Sequence, residues 1–397
     1  MEKKTIIARF LKNGYQLESS AIDYFAKRPE EIETFIKKAE GRKRSPILTL
    51  EFVKDVLKKG RDFEIIKKFS MKEGKETIST TDCANSLARI YEGARDMLVG
   101  RVDQAKAISI NKIGKKKEFV IIASVREKDN SEKTAVVEDL TGSVNVALVQ
   151  DDFESVYEND IVALECATTE GGVEVKKVIW PDLPFNKTVK KSDSDVCAIF
   201  ISDIHMDSAE FDKTKYMLLV RNLEDVASAH EGAYIFILGG ISGREEDVKS
   251  FIKSMPENAT KVFLKGQKDA GVESSESVIV SDSPMMAMVD GIPLLLCQGD
   301  SIYKYKEFFT GGGADVIKNL IKRRNIAPPI GEEPCKTTQT DQLITPPPSI
   351  FASGSFHKAE SLNYKGATVL ITGDLSSDPT FWVVDLKTRE INKLAIS

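Results

Sequence analysis

Histidine is scarce in this chain: three residues, His205, His230 and His357, stand among 397. A metal centre that needs four or more imidazoles is thereby excluded. The five cysteines, Cys83, Cys166, Cys197, Cys297 and Cys335, are scattered and odd in number, and no C-x-x-C pair suggests zinc. Reduced, mostly structural thiols are the expectation. There is no apolar run of about 18 residues, so no membrane-spanning helix is expected. The basic start, "MEKKTIIARFLKNGY", has its apolar run broken by Arg9 and Lys12 and lacks the core of a signal peptide. An intracellular, cytoplasmic protein is expected. Net charge is −5, which excludes nucleic-acid binding by bulk electrostatics alone.

What charge there is lies unevenly. Residues 1–70 carry 17 Lys+Arg against 11 Asp+Glu, whereas residues 101–184 carry 11 against 16. The basic segment reads as short helices. "SSAIDYFAKR" offers Ser19 or Ser20 as an N-cap, with Ile22, Phe25 and Ala26 on one face. "PEEIETFIKKAEG" has Pro29 in its first turn, acids early, lysines late and Gly41 at its end. "TLEFVKDVLKKG" aligns Phe52, Val53, Val56 and Leu57 and stops at Gly60. A small basic helical domain is expected over 1–69, tethered by a polar linker at 70–81. A further helix, "DCANSLARIYEGARDML", presents Ala84, Leu87, Ala88, Tyr91, Ala94 and Leu98 in register.

From about Ala105 the period becomes alternating. "AISINKI", "EFVIIASV", "TAVVEDL", "SVNVALV", "DIVALECA" and "VEVKKVIW" are six strand-like runs with turn residues between them. So many short strands in about 80 residues suggest a small barrel of the OB type, completing a unit over 82–184. A single-strand binder of that fold pairs a basic groove with exposed aromatics. This segment is net acidic and holds only Phe119, Phe153, Tyr157 and Trp180 as candidates, which favours docking over strand binding.

A second linker, 185–194, precedes strand–helix alternation over 195–397. "VCAIFISDIH" is a continuous apolar run, as in a strand buried on both faces. The polar motifs follow strands, where α/β folds place their ligand loops. The fold class is thus multidomain α+β: a helical N-terminal domain, an OB-fold barrel and an α/β sandwich.

The motif order resembles that of the calcineurin-like metallophosphoesterases: D-x-H, G-D, G-N-H-D/E, a lone His, then G-H-x-H. With a barrel before such a domain, and "VIKNLIKRRNIAPPIGEEPC" before the last motifs, the chain is similar to the small subunits of archaeal D-family DNA polymerases and to the related B-subunits of eukaryotic replicative polymerases. In that chemistry two cations about 3.5–4 Å apart clamp the attacking and leaving oxygens of a phosphodiester. One carboxylate must bridge them, and a histidine can protonate the leaving alkoxide.

Set against that pattern, Asp203 and His205 keep D-x-H, and His357 keeps the last histidine. Gly240 stands for the bridging Asp, Gln267 for Asn, Lys268 for the acid His, Gln298 for the lone His and Ser355 for the first His of G-H-x-H; Asp269 remains. The resemblance therefore implies a degenerate site and assigns no catalytic residue. Asp203, His205 and His357 are left as a vestigial site for one divalent metal, Mn or Mg, and Lys268 sits near the place of the second. As plain structural residues, Asp203 and His205 would satisfy loop hydrogen bonds. His230 is expected as a helix C-terminal dipole partner, and Asp300 and Asp374 as turn residues.

The function implied is an accessory scaffold in DNA replication, forming a heterodimer with the catalytic large subunit and meeting DNA through the complex, with 3′–5′ exonuclease activity lost. A divergent single-metal phosphodiesterase and a free-standing single-strand-binding module are the alternatives. No membrane partner is expected.

Overall fold

The computed structural model describes residues 2–29, 31–39, 47–57, 62–69, 79–185, 188–266, 269, 271, 273–275, 278–330 and 342–396. The chain divides into two compact units, Met1–Arg61 and Asp62–Ser397.

The first unit holds four helices: α1 (Lys3–Lys12), α2 (Ser19–Lys27), α3 (Glu31–Ala39) and α4 (Leu50–Leu57). Two short strands, β1 (Gln16–Leu17) and β2 (Ile47–Leu48), pair in parallel. Phe10, Phe25 and Phe35 meet at centroid distances of 4.8–5.7 Å in a core with Ile6, Ile32 and Val53. The cap of α2 differs from expectation. Glu18 is the N-cap and both serines lie inside the helix, because the Glu18 carboxylate is drawn to the Leu50 N–H at 2.6 Å.

In the second unit, β3 (Phe63–Lys68) pairs antiparallel with the later strand Met285–Val289. The sequence reading placed these residues in the helical domain. Their apolar side chains, Phe63 and Ile65, pack in a core that only a distant strand completes. Most of the first linker, 70–78, lies outside the described residues. Helix α5 (Thr80–Val99) is capped by Ser79, whose hydroxyl accepts from the Asp82 N–H at 3.1 Å. Its buried face is Cys83, Ile90, Ala94 and Leu98 rather than one running through the exposed Ala84. Cys166, Cys197 and Cys297 are free and buried, but Cys83 is disulfide-bonded, so the thiols are not all reduced. Chain spacing cannot exclude a pairing that depends on distance in space.

Strands β4 (Glu118–Asp129), β5 (Thr134–Asp139), β6 (Gly142–Ala147), β7 (Ile161–Thr169) and β8 (Gly172–Ile179) close into a barrel in the order β4-β5-β6-β8-β7. The pairing of β6 with β8 is parallel, and a short helix, α6 (Gln150–Ser155), connects β6 to β7. This is the OB arrangement. "AISINKI" is not a sixth strand: it makes one bridge, Ala107 to Val120, and a 3₁₀ turn at Ile110–Lys112.

The remainder is a four-layer sandwich. One sheet takes β9 (Val196–Ile201), β10 (Gly232–Ile237), β11 (Ala259–Lys265) and β12 (Val278–Asp282). The other takes β13 (Met285–Val289), β14 (Ile292–Cys297), β15 (Ile350–Ser353), β16 (Glu360–Tyr364) and β17 (Ala367–Ile371), and the last strands β18 (Thr380–Asp385) and β19 (Ile391–Ala395) return to the first. The orders are β12-β11-β10-β9-β18-β19 and β16-β17-β15-β14-β13-β3. Helices α7 (Lys213–Ser228) and α8 (Glu245–Ser254) cover the outer face of the first sheet. After a short α9 (Asp300–Tyr303), α10 (Gly313–Arg323) covers the second. Phe200, Phe236, Leu264, Leu294 and Ala352 fill the space between the sheets. Covered on both sides, β9, β10 and β14 are buried at every position, which explains their uninterrupted apolar sequence. Among the described residues no helix is long and apolar enough to cross a membrane.

Candidate active site

The polar motifs gather at the carboxyl ends of parallel strands, the position at which α/β sheets present ligand loops. Asp203 and His205 follow β9, Gly240 follows β10, Asp269 follows β11, Gln298 follows β14, and Ser355 and His357 follow β15. Asp203, His205, Ser355 and His357 all have positive φ, between 49° and 66°. That strained backbone is held by cross-loop hydrogen bonds. The Asp203 N–H donates to Gly239 O at 3.1 Å and the His205 N–H to Gly240 O at 2.9 Å.

Asp203 is buried, and its Oδ2 accepts from the Ser355 N–H at 2.8 Å and from the Ser202 hydroxyl. Ser202 is held in turn by Thr372 at 2.6 Å. Burial pushes the Asp203 carboxyl up to about 6, against the pull of Ser202, the Ser355 N–H and His205; nearby Asp374 adds to the rise. The half-exposed His205 ring places Nε2 3.7 Å from Asp203 Oδ1 and 3.8 Å from Asp374 Oδ2.

Asp374 was assigned to a turn from the sequence, and it does make one: Oδ1 accepts from the Ser376 N–H at 2.7 Å. Its other oxygen faces the site. The signal that could have found it is the Gly373-Asp374 pair at the end of a wholly buried strand, β17, that neighbours β15. His357 is exposed, with its ring edge-on to Tyr303 at 6.4 Å. His230 is not a helix-dipole partner alone, because Nδ1 lies 2.8 Å from Asp195 Oδ1.

The other motif positions make contacts of their own. Gly240 has φ +71°, and a Cβ there would stand 2.5 Å from Asp203 Oδ1 and 2.9 Å from Asp203 Cα. No side chain, and so no bridging carboxylate, fits on this backbone. Gln298 donates from Nε2 to Ser355 Oγ at 3.1 Å, so these two side chains satisfy each other. Asp269 Oδ1 accepts from the Ile241 and Ser242 N–H groups at 2.8 and 3.3 Å, and its Oδ2 from Gly240 and Gly266 at 3.1 and 2.8 Å. Four backbone donors leave that carboxylate as a loop clamp. Gln267 and Lys268 lie outside the described residues. Among the described residues no three His, Cys, Asp or Glu side chains are placed to hold a metal ion. This donor set does not fit a two-metal centre.

The barrel also lacks the exposed Phe119 and Phe153 platform that a strand-binding groove would use. Three cations on its strands are neutralised: Arg126 faces Glu138 at 3.7 Å, Lys177 faces Glu165 at 3.7 Å and Lys176 faces Glu174 at 2.7 Å. Phe119 and Phe153 are buried in its core.

No established family profile matches the chain. It is 21% identical over 423 aligned residues to the DNA polymerase II small subunit of Thermoplasma acidophilum, covering 92% of this chain and 85% of that protein. To the one from Archaeoglobus fulgidus it is 20% identical, covering 91% and 82%. To the Pyrococcus abyssi protein it is 22% identical over 66% of this chain and 51% of that protein, so it spans about half the length of that relative. Among solved structures, an archaeal phosphodiesterase shares 13% identity over 50% of this chain and 98% of its own, with a TM-score of 0.34. Vacuolar protein sorting 29 from Cryptosporidium parvum shares 14% over 51% and 97%, with a TM-score of 0.32. Over most of its length, this chain is similar in sequence to archaeal DNA polymerase II small subunits.

Proposed function

We propose that the chain is the accessory small subunit of a D-family DNA polymerase, holding the catalytic large subunit, with its own exonuclease site inactivated. One observation carries the loss of activity: a Cβ at Gly240 would lie 2.5 Å from Asp203 Oδ1, so the position of the bridging carboxylate is closed to any side chain. A buried ion pair between barrel and sandwich supports the scaffold role. Arg323 on α10 reaches Asp160 at the head of β7.

The test is co-purification with the large subunit encoded in the same genome, followed by a Mn²⁺-dependent exonuclease assay of the chain and of the complex. A stable complex without nuclease activity dependent on Asp203 is the expected result. Robust exonuclease activity abolished by Asp203→Ala would overturn the inactivation. Stoichiometric uptake of a divalent metal, measured by calorimetry, would instead favour a divergent single-metal phosphodiesterase acting through Asp203, His205 and His357.

A further inference from the structure

The net acidity of the barrel hides one loop of opposite character. From the 3₁₀ turn at Ile110–Lys112 to the first residue of β4 runs "NKIGKKKE", in which Lys112, Lys115, Lys116 and Lys117 are all exposed. Other cations of the barrel have partners. Lys106 pairs with Glu118 at 2.9 Å, and Lys128 donates to the Phe153 and Val156 carbonyls at 2.6 Å each. Among the described residues no carboxylate is paired with any of the four loop lysines, although they crowd into six positions. Four like charges so close repel one another unless a counter-charge is supplied.

The loop is also fixed in place. Ile113 packs against the barrel core, and the Lys116 N–H donates to Ile113 O at 3.0 Å. The Thr168 N–H donates to Lys117 O at 2.9 Å and the Thr168 hydroxyl to Lys116 O at 2.8 Å. Thr168 sits at the end of β7, immediately before the turn into β8. In OB barrels the turn at this place in the strand order is one of the two loops that flank the oligonucleotide cleft. A preset cationic rim on that edge is the electrostatic half of a nucleic-acid site, without the aromatic half.

We propose that Lys112, Lys115, Lys116 and Lys117 form a phosphate-backbone contact for DNA, one that positions the duplex or strand without reading its sequence. The inference rests on the polymerase-subunit reading in taking DNA as the polyanion. Lysine is depleted in protein–protein interfaces, so the loop's composition favours a phosphate chain over a protein surface.

The experiment uses the full chain, wild type against the combined Lys112→Ala, Lys115→Ala, Lys116→Ala and Lys117→Ala variant, with the four Lys→Arg changes as a control. Binding of a fluorescein-labelled primer–template is followed by anisotropy between about 50 and 200 mM salt. If each lysine neutralises one phosphate, the slope of log K against log salt becomes shallower by about 3–4 in the alanine variant, and the arginine variant keeps the wild-type slope. The lysines are exposed, so folding is expected to be unaffected, which circular dichroism checks. An unchanged slope overturns the proposal. An unchanged slope with weakened capture of the large subunit would reassign the loop to an acidic protein surface. Capture of the large subunit by wild type is scored separately, so failure of the subunit reading is distinguishable from failure of the DNA contact.

Discussion

Arg323 and Asp160 form a two-pronged ion pair, with Nε 2.8 Å from Oδ1 and Nη2 3.0 Å from Oδ2, and both side chains are almost wholly buried. Arg323 belongs to the helix that covers the second sheet, and Asp160 precedes the barrel strand β7, so the pair spans two architectures. Its remaining donors are used as well: Nη2 gives a bond to Ser155 O at 2.9 Å, and the guanidinium lies over Trp180 and Phe309 at 4.5 and 4.6 Å. Arg324, next in sequence, reaches Asp182 O at 3.2 Å and Ile344 O at 2.7 Å. The K-R-R segment is thus a joint.

Removing one partner of this pair strands a buried charge. Asp160→Asn and Arg323→Met should each cost about 3–5 kcal/mol in denaturant unfolding, and the double variant less than their sum. Costs below about 1 kcal/mol for both single variants would show that the pair does not join the two parts.

Placing a carboxylate at Gly240 should fail to create a working site. Gly240→Asp meets Asp203 at 2.5 Å and forces a left-handed backbone on a residue with a Cβ. A loss of at least about 2 kcal/mol is expected from the strain and the clash together, with no gain in Mn²⁺-dependent exonuclease activity. A stable variant that acquires nuclease activity would contradict the closed geometry.

Asp203 should make stability depend on pH. Burial raises its folded carboxyl to about 6 from an ordinary 3.8, so the folded state holds the proton more tightly than the unfolded one. The stabilisation is full below the ordinary value and is lost as pH rises to about 6. Relative to Asp203→Asn, which does not titrate, the wild type should therefore lose on the order of 2–3 kcal/mol between about pH 4 and pH 7. Urea midpoints of the two proteins at both ends of that window provide the measurement. A constant difference would mean the carboxyl is not perturbed.

The free thiols should be silent. Cys166, Cys197 and Cys297 are buried, and burial pushes the Cys166 and Cys197 thiols up to about 12. Since the thiolate is the reactive form, native protein should alkylate at these positions far more slowly than unfolded protein. Mass spectrometry after a short iodoacetamide pulse reads this directly, and rapid native labelling at Cys197 would place β9 nearer the surface than it lies here.

The sequence by itself determined most of the regular elements and the strand ends at which the polar motifs lie. Full burial made β9, β10 and β14 legible as unbroken apolar runs, and alternation made the barrel strands legible. Motif order located the strand-end loops that carry Asp203, His205, Gly240, Gln298, Ser355 and His357. Only tertiary structure decided what those residues do, because each role is set by a partner far away in the chain. Asp269 clamps loops after β10, Ser355 binds Asp203 through its backbone and Gln298 through its hydroxyl, and Asp374 comes beside His205 from a different strand end. The same holds for β3, which pairs with a strand more than two hundred residues on, and for Arg323, whose carboxylate belongs to the barrel. Local pattern records which face of an element is apolar. It carries no record of which distant group will meet the polar side chain at its end.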